Sequence, residues 1–183
     1  MIAIAICSFA FISCKKENTQ PEQGATQTDN GNGGVFGRNV NPTCLATETQ
    51  LTAGQHIDAG MVSVVNDADY IYVTYNAANG YVLTQTHLYV GDCNQIPVNG
   101  PGNPNPGHFP YSSTHNNITS YTYQVPMSLI GAGNCGCIAA HAVVVKLGAS
   151  GQVIETQTGW GSGTLINPNG GNWGMKFDYC TCQ

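Results

Sequence analysis

The residues able to do chemistry are few, and most are soft ligands or aromatic rings. The chain holds eight cysteines and five histidines. Six cysteines lie beyond residue 43: Cys44, Cys93, Cys135, Cys137, Cys180 and Cys182. Four of these form the pairs Cys135-Gly136-Cys137 and Cys180-Thr181-Cys182. Side chains alternate along a strand, so each pair presents two thiols on one face. An even number of thiols in an exported chain implies disulfides. If the two pairs sit on neighbouring antiparallel strands, Cys135 meets Cys182 and Cys137 meets Cys180, which leaves Cys44 for Cys93. The rival use of the two pairs is a four-thiolate zinc site. Such sites usually space thiols by two to four residues and need them reduced.

The histidines offer a second chemistry. His87 (Gln85-Thr86-His87-Leu88) and His141 (Ala139-Ala140-His141-Ala142) stand in strand-like contexts. If those strands pair, the two rings face one another, as a hydrogen-bonded structural pair or as metal ligands together with Asp92. Asn66-Asp67-Ala68-Asp69 places Asp67 and Asp69 where they could offer oxygens to calcium, the one cofactor suggested here. The full ligand set of a calcium loop is missing, and a turn held by Asx hydrogen bonds is the competing reading. Trp160 and Trp173 stand in Gly159-Trp160-Gly161-Ser162-Gly163 and Gly170-Gly171-Asn172-Trp173-Gly174. An aromatic ring between Gly and Asn suits stacking on a sugar or gripping a partner. His108, Phe109 and Asn172 join the two tryptophans as candidate ligand contacts. The alternative is that both indoles plug the ends of the fold.

Signatures of hydrolysis are missing. No Ser occupies Gly-x-Ser-x-Gly, because Ser162 has Trp160 two places before it and Thr164 two after. There is no His-Glu-x-x-His and no phosphate loop. From Cys44 onward the acids are Glu48, Asp58, Asp67, Asp69, Asp92, Glu155 and Asp178, against Lys146 and Lys176. None stands out as half of a carboxylate pair about 5–10 Å apart. This acidic balance repels phosphate backbones, which excludes nucleic acid, and it lacks a basic patch for anionic lipid.

The elements that position these residues read as strands. Beyond residue 43 no helical period is sustained, while apolar residues alternate and β-branched and aromatic types dominate. Ile71, Val73 and Tyr75 share one face. Asn79-Gly80 is a hairpin signal, since both residues tolerate positive φ. The return strand, Tyr81 to Gly91, aligns Val82, Thr84, Thr86, Leu88 and Val90. Ile118 to Val125 groups Tyr121, Tyr123 and Val125. Cys137 to Leu147 is apolar throughout, as for a central strand covered on both faces. Gly174 to Cys182 alternates Met175, Phe177 and Tyr179 with Lys176, Asp178 and Cys180. Further strands are expected at Cys44–Leu51, Met61–Asn66 and Gln152–Thr158. The expectation is an all-β domain over residues 44–183: an antiparallel β-sandwich of about eight strands, stapled by disulfides. Residues 97–110, with five Pro and three Gly, form a loop.

Ahead of the domain lies a different composition. Ile2 to Ile12 is an apolar run of about 11 residues, too short to span a ~30 Å hydrocarbon core but the length of a signal-peptide core. It ends in Phe11-Ile12-Ser13-Cys14, which resembles the lipobox of bacterial lipoproteins. The resemblance implies a signal peptide over residues 1–13 and lipidation of Cys14. Ser13-Cys14-Lys15-Lys16-Glu17 is similar to lipoprotein starts of Bacteroidota, which implies anchoring in the outer membrane, on its periplasmic or cell-surface face. Residues 14–43 are polar and Gly-rich, a flexible tether with a reach of roughly 30 Å.

Within the domain, four segments carry a further resemblance. They are His87-Leu88-Tyr89-Val90-Gly91, Gly107-His108-Phe109-Pro110, Ile138-Ala139-Ala140-His141-Ala142-Val143-Val144, and Asn172-Trp173-Gly174-Met175-Lys176-Phe177-Asp178-Tyr179. They resemble an uncharacterised family of secreted and cell-surface bacterial β-domains, over roughly residues 55–180. This implies an extracytoplasmic domain and assigns no catalytic residue. In similar sequences an acid follows Trp-Gly in the Trp160 segment, where Ser162 stands here. Three functions are expected from these readings. The first is a non-catalytic module of adhesion type that binds glycan or protein. The second is a self-associating subunit of a surface assembly or filament, and the third a hydrolytic enzyme.

Overall fold

The computed structural model describes Ala25–Thr26 and residues 46–182. Cys14, Cys44, the signal segment and most of the tether lie outside the described residues. Eleven strands form: β1 (Ala25–Thr26), β2 (Thr47–Ala53), β3 (Ile57–Asn66), β4 (Tyr70–Ala77), β5 (Tyr81–Gly91), β6 (Tyr111–Ile118), β7 (Ser120–Pro126), β8 (Cys135–Leu147), β9 (Val153–Gly161), β10 (Thr164–Leu165) and β11 (Met175–Cys180). The helical content of the described residues is three single 3-10 turns, one of them at Pro106–His108 within the Pro/Gly loop. No helix among them is long and apolar enough to cross a membrane.

Every strand pairing is antiparallel. The hydrogen-bonded path runs β7-β4-β3-β2-β9-β8-β5-β6, with β11 continuing the β9 edge of β8. The all-β, antiparallel, disulfide-stapled domain expected from the sequence is what forms, nearly closed and barrel-like. Its two layers are halves of one sheet. The sheet turns over where β2 meets β9 along only three pairs, Leu51–Ala53 against Gly159–Gly161.

The core explains this path. Ile71, Val73 and Tyr75 on β4, Val62 and Val64 on β3, and Val125 on β7 are fully buried. They face Leu83 and Leu88 of β5 and Ile138, Ala140, Ala142 and Val144 of β8. Hydrogen bonds cross the apolar interior. The Tyr75 hydroxyl donates to the His87 carbonyl at 2.9 Å, and the Tyr123 hydroxyl meets the Thr86 hydroxyl at 2.8 Å. These bonds satisfy buried polar atoms and tie the layers to each other. β8 is buried on both faces, as its apolar run predicts.

Several expectations change. Asn79 and Gly80 take positive φ (57° and 84°) and the turn closes with Tyr81 N–H donating to the Ala78 carbonyl. Yet β4 and β5 do not pair. β4 pairs with β3 and β7, and β5 with β6 and β8, so the turn passes from one layer to the other. Along β5 a bulge between Leu83 and Gln85 shifts the alternation by one. Thr86, Leu88 and Val90 face the core as expected, but Tyr81 and Leu83 take the inward places assigned to Val82 and Thr84. β6, Tyr-Ser-Ser-Thr-His-Asn-Asn-Ile, is a strand that hydrophobic alternation does not reveal, because it is polar on both faces.

The disulfides also differ from the expected set. β8 and β11 are antiparallel neighbours, but the register puts Cys135 opposite Cys180 and Cys137 opposite Asp178. Cys135 bonds Cys180, and Cys137 bonds Cys93. The expected Cys135–Cys182, Cys137–Cys180 and Cys44–Cys93 bridges therefore do not form. A slip of two residues keeps every side chain on its face, so alternation alone could not distinguish the registers. Cys182 is disulfide-bonded as well. With these thiols oxidised, a four-thiolate zinc site is not built.

Candidate functional site

The site lies on the outer face of the layer made by β6, β5, β8 and β9. Its centre is set by register. His87 on β5 stands opposite His141 on β8, and His141 stands opposite Trp160 on β9. The imidazoles face one another as the sequence suggests, with Nδ1 atoms 3.2 Å apart and ring centroids 5.3 Å apart. The indole of Trp160 lies edge-on to His141, centroid to centroid 4.8 Å. Asp92 takes no part. Its carboxylate accepts the Asn94 N–H at 2.9 Å and caps the 3-10 turn Cys93–Gln95.

Burial sets the charge of the pair. His141 is 8% exposed, and burial, reinforced by the neighbouring His87, pushes its pKa down to about 3. Burial also lowers His87, which is half-buried. Both rings are thus neutral at neutral pH, and each has a lone pair to offer.

Beside His87 the outer face opens into a cleft of about 480 Å³ lined by Gln85, His87, Ser112, Ser113 and Thr114. Ser112 and Thr114 face outward because they oppose His87 and Gln85 in the β5–β6 register. The outward side chains thus offer an amide, an imidazole and two hydroxyls, without a carboxylate, while Ser113 opposes the buried Thr86 and faces inward. This surface can exchange hydrogen bonds with a polar ligand in both directions. The sequence reading missed Ser112 to Thr114. The one available signal was the run of three hydroxyl residues after Tyr111.

The aromatic patch expected to hold ligand is assembled differently. Phe109 and Trp160 do come together, at 6.2 Å between centroids, and Tyr89 lies 6.2 Å from Phe109. They are buried, at 5% exposure for Phe109 and 4% for Trp160, in a cluster with Ile96 and Ala139. Trp160 ends β9 instead of riding on a loop, and its ring is core, not a stacking platform. Trp173 is half-buried at the edge of this cluster, and His108 is exposed. The Asn172 side chain accepts the Gly174 N–H at 2.6 Å, which shapes the loop around Trp173. The cluster roofs Cys137 and its bridge to Cys93.

Asp67 Oδ1 accepts the N–H groups of Asp69 and Tyr70, and Oδ2 accepts the Tyr72 hydroxyl at 2.7 Å. This is the Asx turn, with the Asp67 oxygens engaged in holding β4, so calcium is not favoured at Asp67 and Asp69. Cys93, Cys137 and Asp178 bring ligand atoms within 4.8 Å of one another, but the two sulfurs are bonded to each other.

Comparison with protein families, curated proteins and solved structures finds no match to the chain.

Proposed function

We propose that this protein is a lipid-anchored, extracytoplasmic lipoprotein of the bacterial outer membrane whose β domain is a non-catalytic glycan-binding module. The observation that carries the binding role is the cleft beside His87, where hydroxyl, amide and imidazole groups line about 480 Å³. A sugar presents donors and acceptors around one ring, and these side chains can match both. The anchor rests on the apolar segment ending in Ser13-Cys14 and the polar tether after it. Bacterial β-domains of the secreted and cell-surface kind resembled by the His87, His141 and Trp173 segments fit the same placement.

The test is a glycan array probed with the exported, disulfide-formed chain, followed by calorimetry on any sugar retained. Gln85→Ala with Thr114→Val should weaken binding at least about tenfold while leaving thermal stability unchanged, since both side chains are exposed. Undiminished binding in that variant refutes the cleft. Anchoring is read by labelling with a fatty-acid analogue, which should fail in Cys14→Ala.

One observation favours a second reading, a subunit of a surface assembly. Among the described residues β6 pairs with β5 alone, so its outer edge offers backbone N–H and C=O groups to an incoming strand. Light scattering on the same sample would show large species if this reading holds.

A further inference from the structure

We propose that His87 and His141 are a two-imidazole site for a borderline divalent cation, copper(II) or zinc(II), on the outer face of the β5–β8 ladder. The first support is spacing. A tetrahedral ion with bonds of about 2.0–2.1 Å to two imidazole nitrogens holds them about 3.3 Å apart. The two Nδ1 atoms stand 3.2 Å apart, so little movement is needed to admit an ion between them.

The second support is how the ligands are held. Each ring projects from a strand inside a paired ladder, β5 and β8, and the two residues are direct partners in register. Trp160 stands against the His141 ring from the next strand. A chelate on rigid strands binds without first ordering its ligands.

The third support is access. His87 is only half-buried on the outer face. Two protein ligands leave a tetrahedral ion two further positions, which water can fill from that side. Without an ion, the same geometry is an Nδ1–H···Nδ1 hydrogen bond, one ring donating. Metal binding requires both rings to carry their proton on Nε2, which is a change of tautomer with no change of fold.

This inference does not depend on the glycan reading, because its test contains no sugar. The full exported chain, carrying Trp173→Phe so that Trp160 is the sole indole reporter, is titrated with copper(II). Paramagnetic copper beside the Trp160 ring should quench its fluorescence with an end point at one equivalent. His87→Gln, at a half-buried position that tolerates the change, should bind at least about tenfold more weakly and lose the quenching at one equivalent. His56→Ala and His108→Ala, both exposed, should leave the titration unchanged. In a parallel zinc(II) titration followed by NMR, the ring resonances of His87 and His141 should shift together. Quenching that survives intact in His87→Gln, or saturates only far beyond one equivalent, overturns the proposal. So does a zinc response at other histidines without this pair.

Discussion

Removing the Asn66 side chain should destabilise the domain far more than its position at a strand end suggests. Asn66 is 3% exposed at the close of β3, and its amide makes four hydrogen bonds. Oδ1 accepts the Tyr179 hydroxyl at 2.7 Å and the Cys182 N–H at 3.0 Å. Nδ2 donates to the Asp67 carbonyl at 2.9 Å and to the Cys182 carbonyl at 3.3 Å. One side chain therefore docks the end of β11 onto the opposite layer. Asn66→Ala strands a buried Tyr hydroxyl and up to three backbone groups, each worth about 1–3 kcal/mol when orphaned. Water reaches the half-buried Cys182 end, so the expected total is about 3 kcal/mol rather than the full sum. Tyr179→Phe leaves Asn66 Oδ1 with its bond from Cys182 N–H and should cost about 1 kcal/mol. In the double variant the Tyr179–Asn66 bond is lost only once, so the pair should show a coupling of about 1 kcal/mol. Because Cys182 is disulfide-bonded, the chain end stays tethered and the loss appears as global stability. Urea unfolding of the oxidised protein, followed by fluorescence, measures all three variants. An Asn66→Ala loss below about 0.5 kcal/mol, or strictly additive effects, would rule out this docking role for Asn66.

Alkali should unfold the protein through its buried phenols. Burial raises Tyr75 and Tyr123 and pushes Tyr179 up to about 12, so the fold favours their neutral forms. That stability is complete below pH 10, the unfolded value, and is lost as pH rises through the folded values. The urea midpoint should fall steadily above pH 10, with tyrosinate absorbance rising in step with unfolding. Non-reducing peptide mapping should recover Cys93–Cys137 and Cys135–Cys180. Replacing Cys135 and Cys180 together by Ser should cost up to about 4 kcal/mol by loop entropy, given their separation of 45 residues. Trp160→Ala should cost about 3–5 kcal/mol by opening the cluster with Phe109 and Tyr89, and it should reduce ligand binding only in proportion to unfolded protein. Thermal melts and calorimetry on the same sample separate the two effects.

The elements were legible where burial acts on one face at a time. Ile71, Val73 and Tyr75 mark β4, and the unbroken run before Leu147 marks a strand covered on both sides. Neighbour relations were less legible, because a turn such as Asn79-Gly80 reports local φ and not which layer receives the next strand. The bulge near Thr84 inverted part of β5, since one added residue reverses every inward and outward assignment before it. The His87–His141 pair was readable in advance because two strand histidines meet whenever their strands are in register. The cleft was not, because Ser112 and Thr114 carry no hydrophobic signal and become a wall only when β6 lies on β5. The tryptophans misled for a related reason. Glycine next to Trp160 reads as a loop, yet Gly161 is needed for close packing, since a Cβ there would approach the Phe177 ring to 2.9 Å.

The most direct test of the central claim is calorimetric titration of the exported chain with the best sugar from an array, compared with Gln85→Ala/Thr114→Val. A glycan-binding cleft gives saturable one-site binding that falls at least about tenfold in the variant, with an unchanged melting temperature. Absence of any sugar binding by the folded wild type, or binding indifferent to both substitutions, would contradict it.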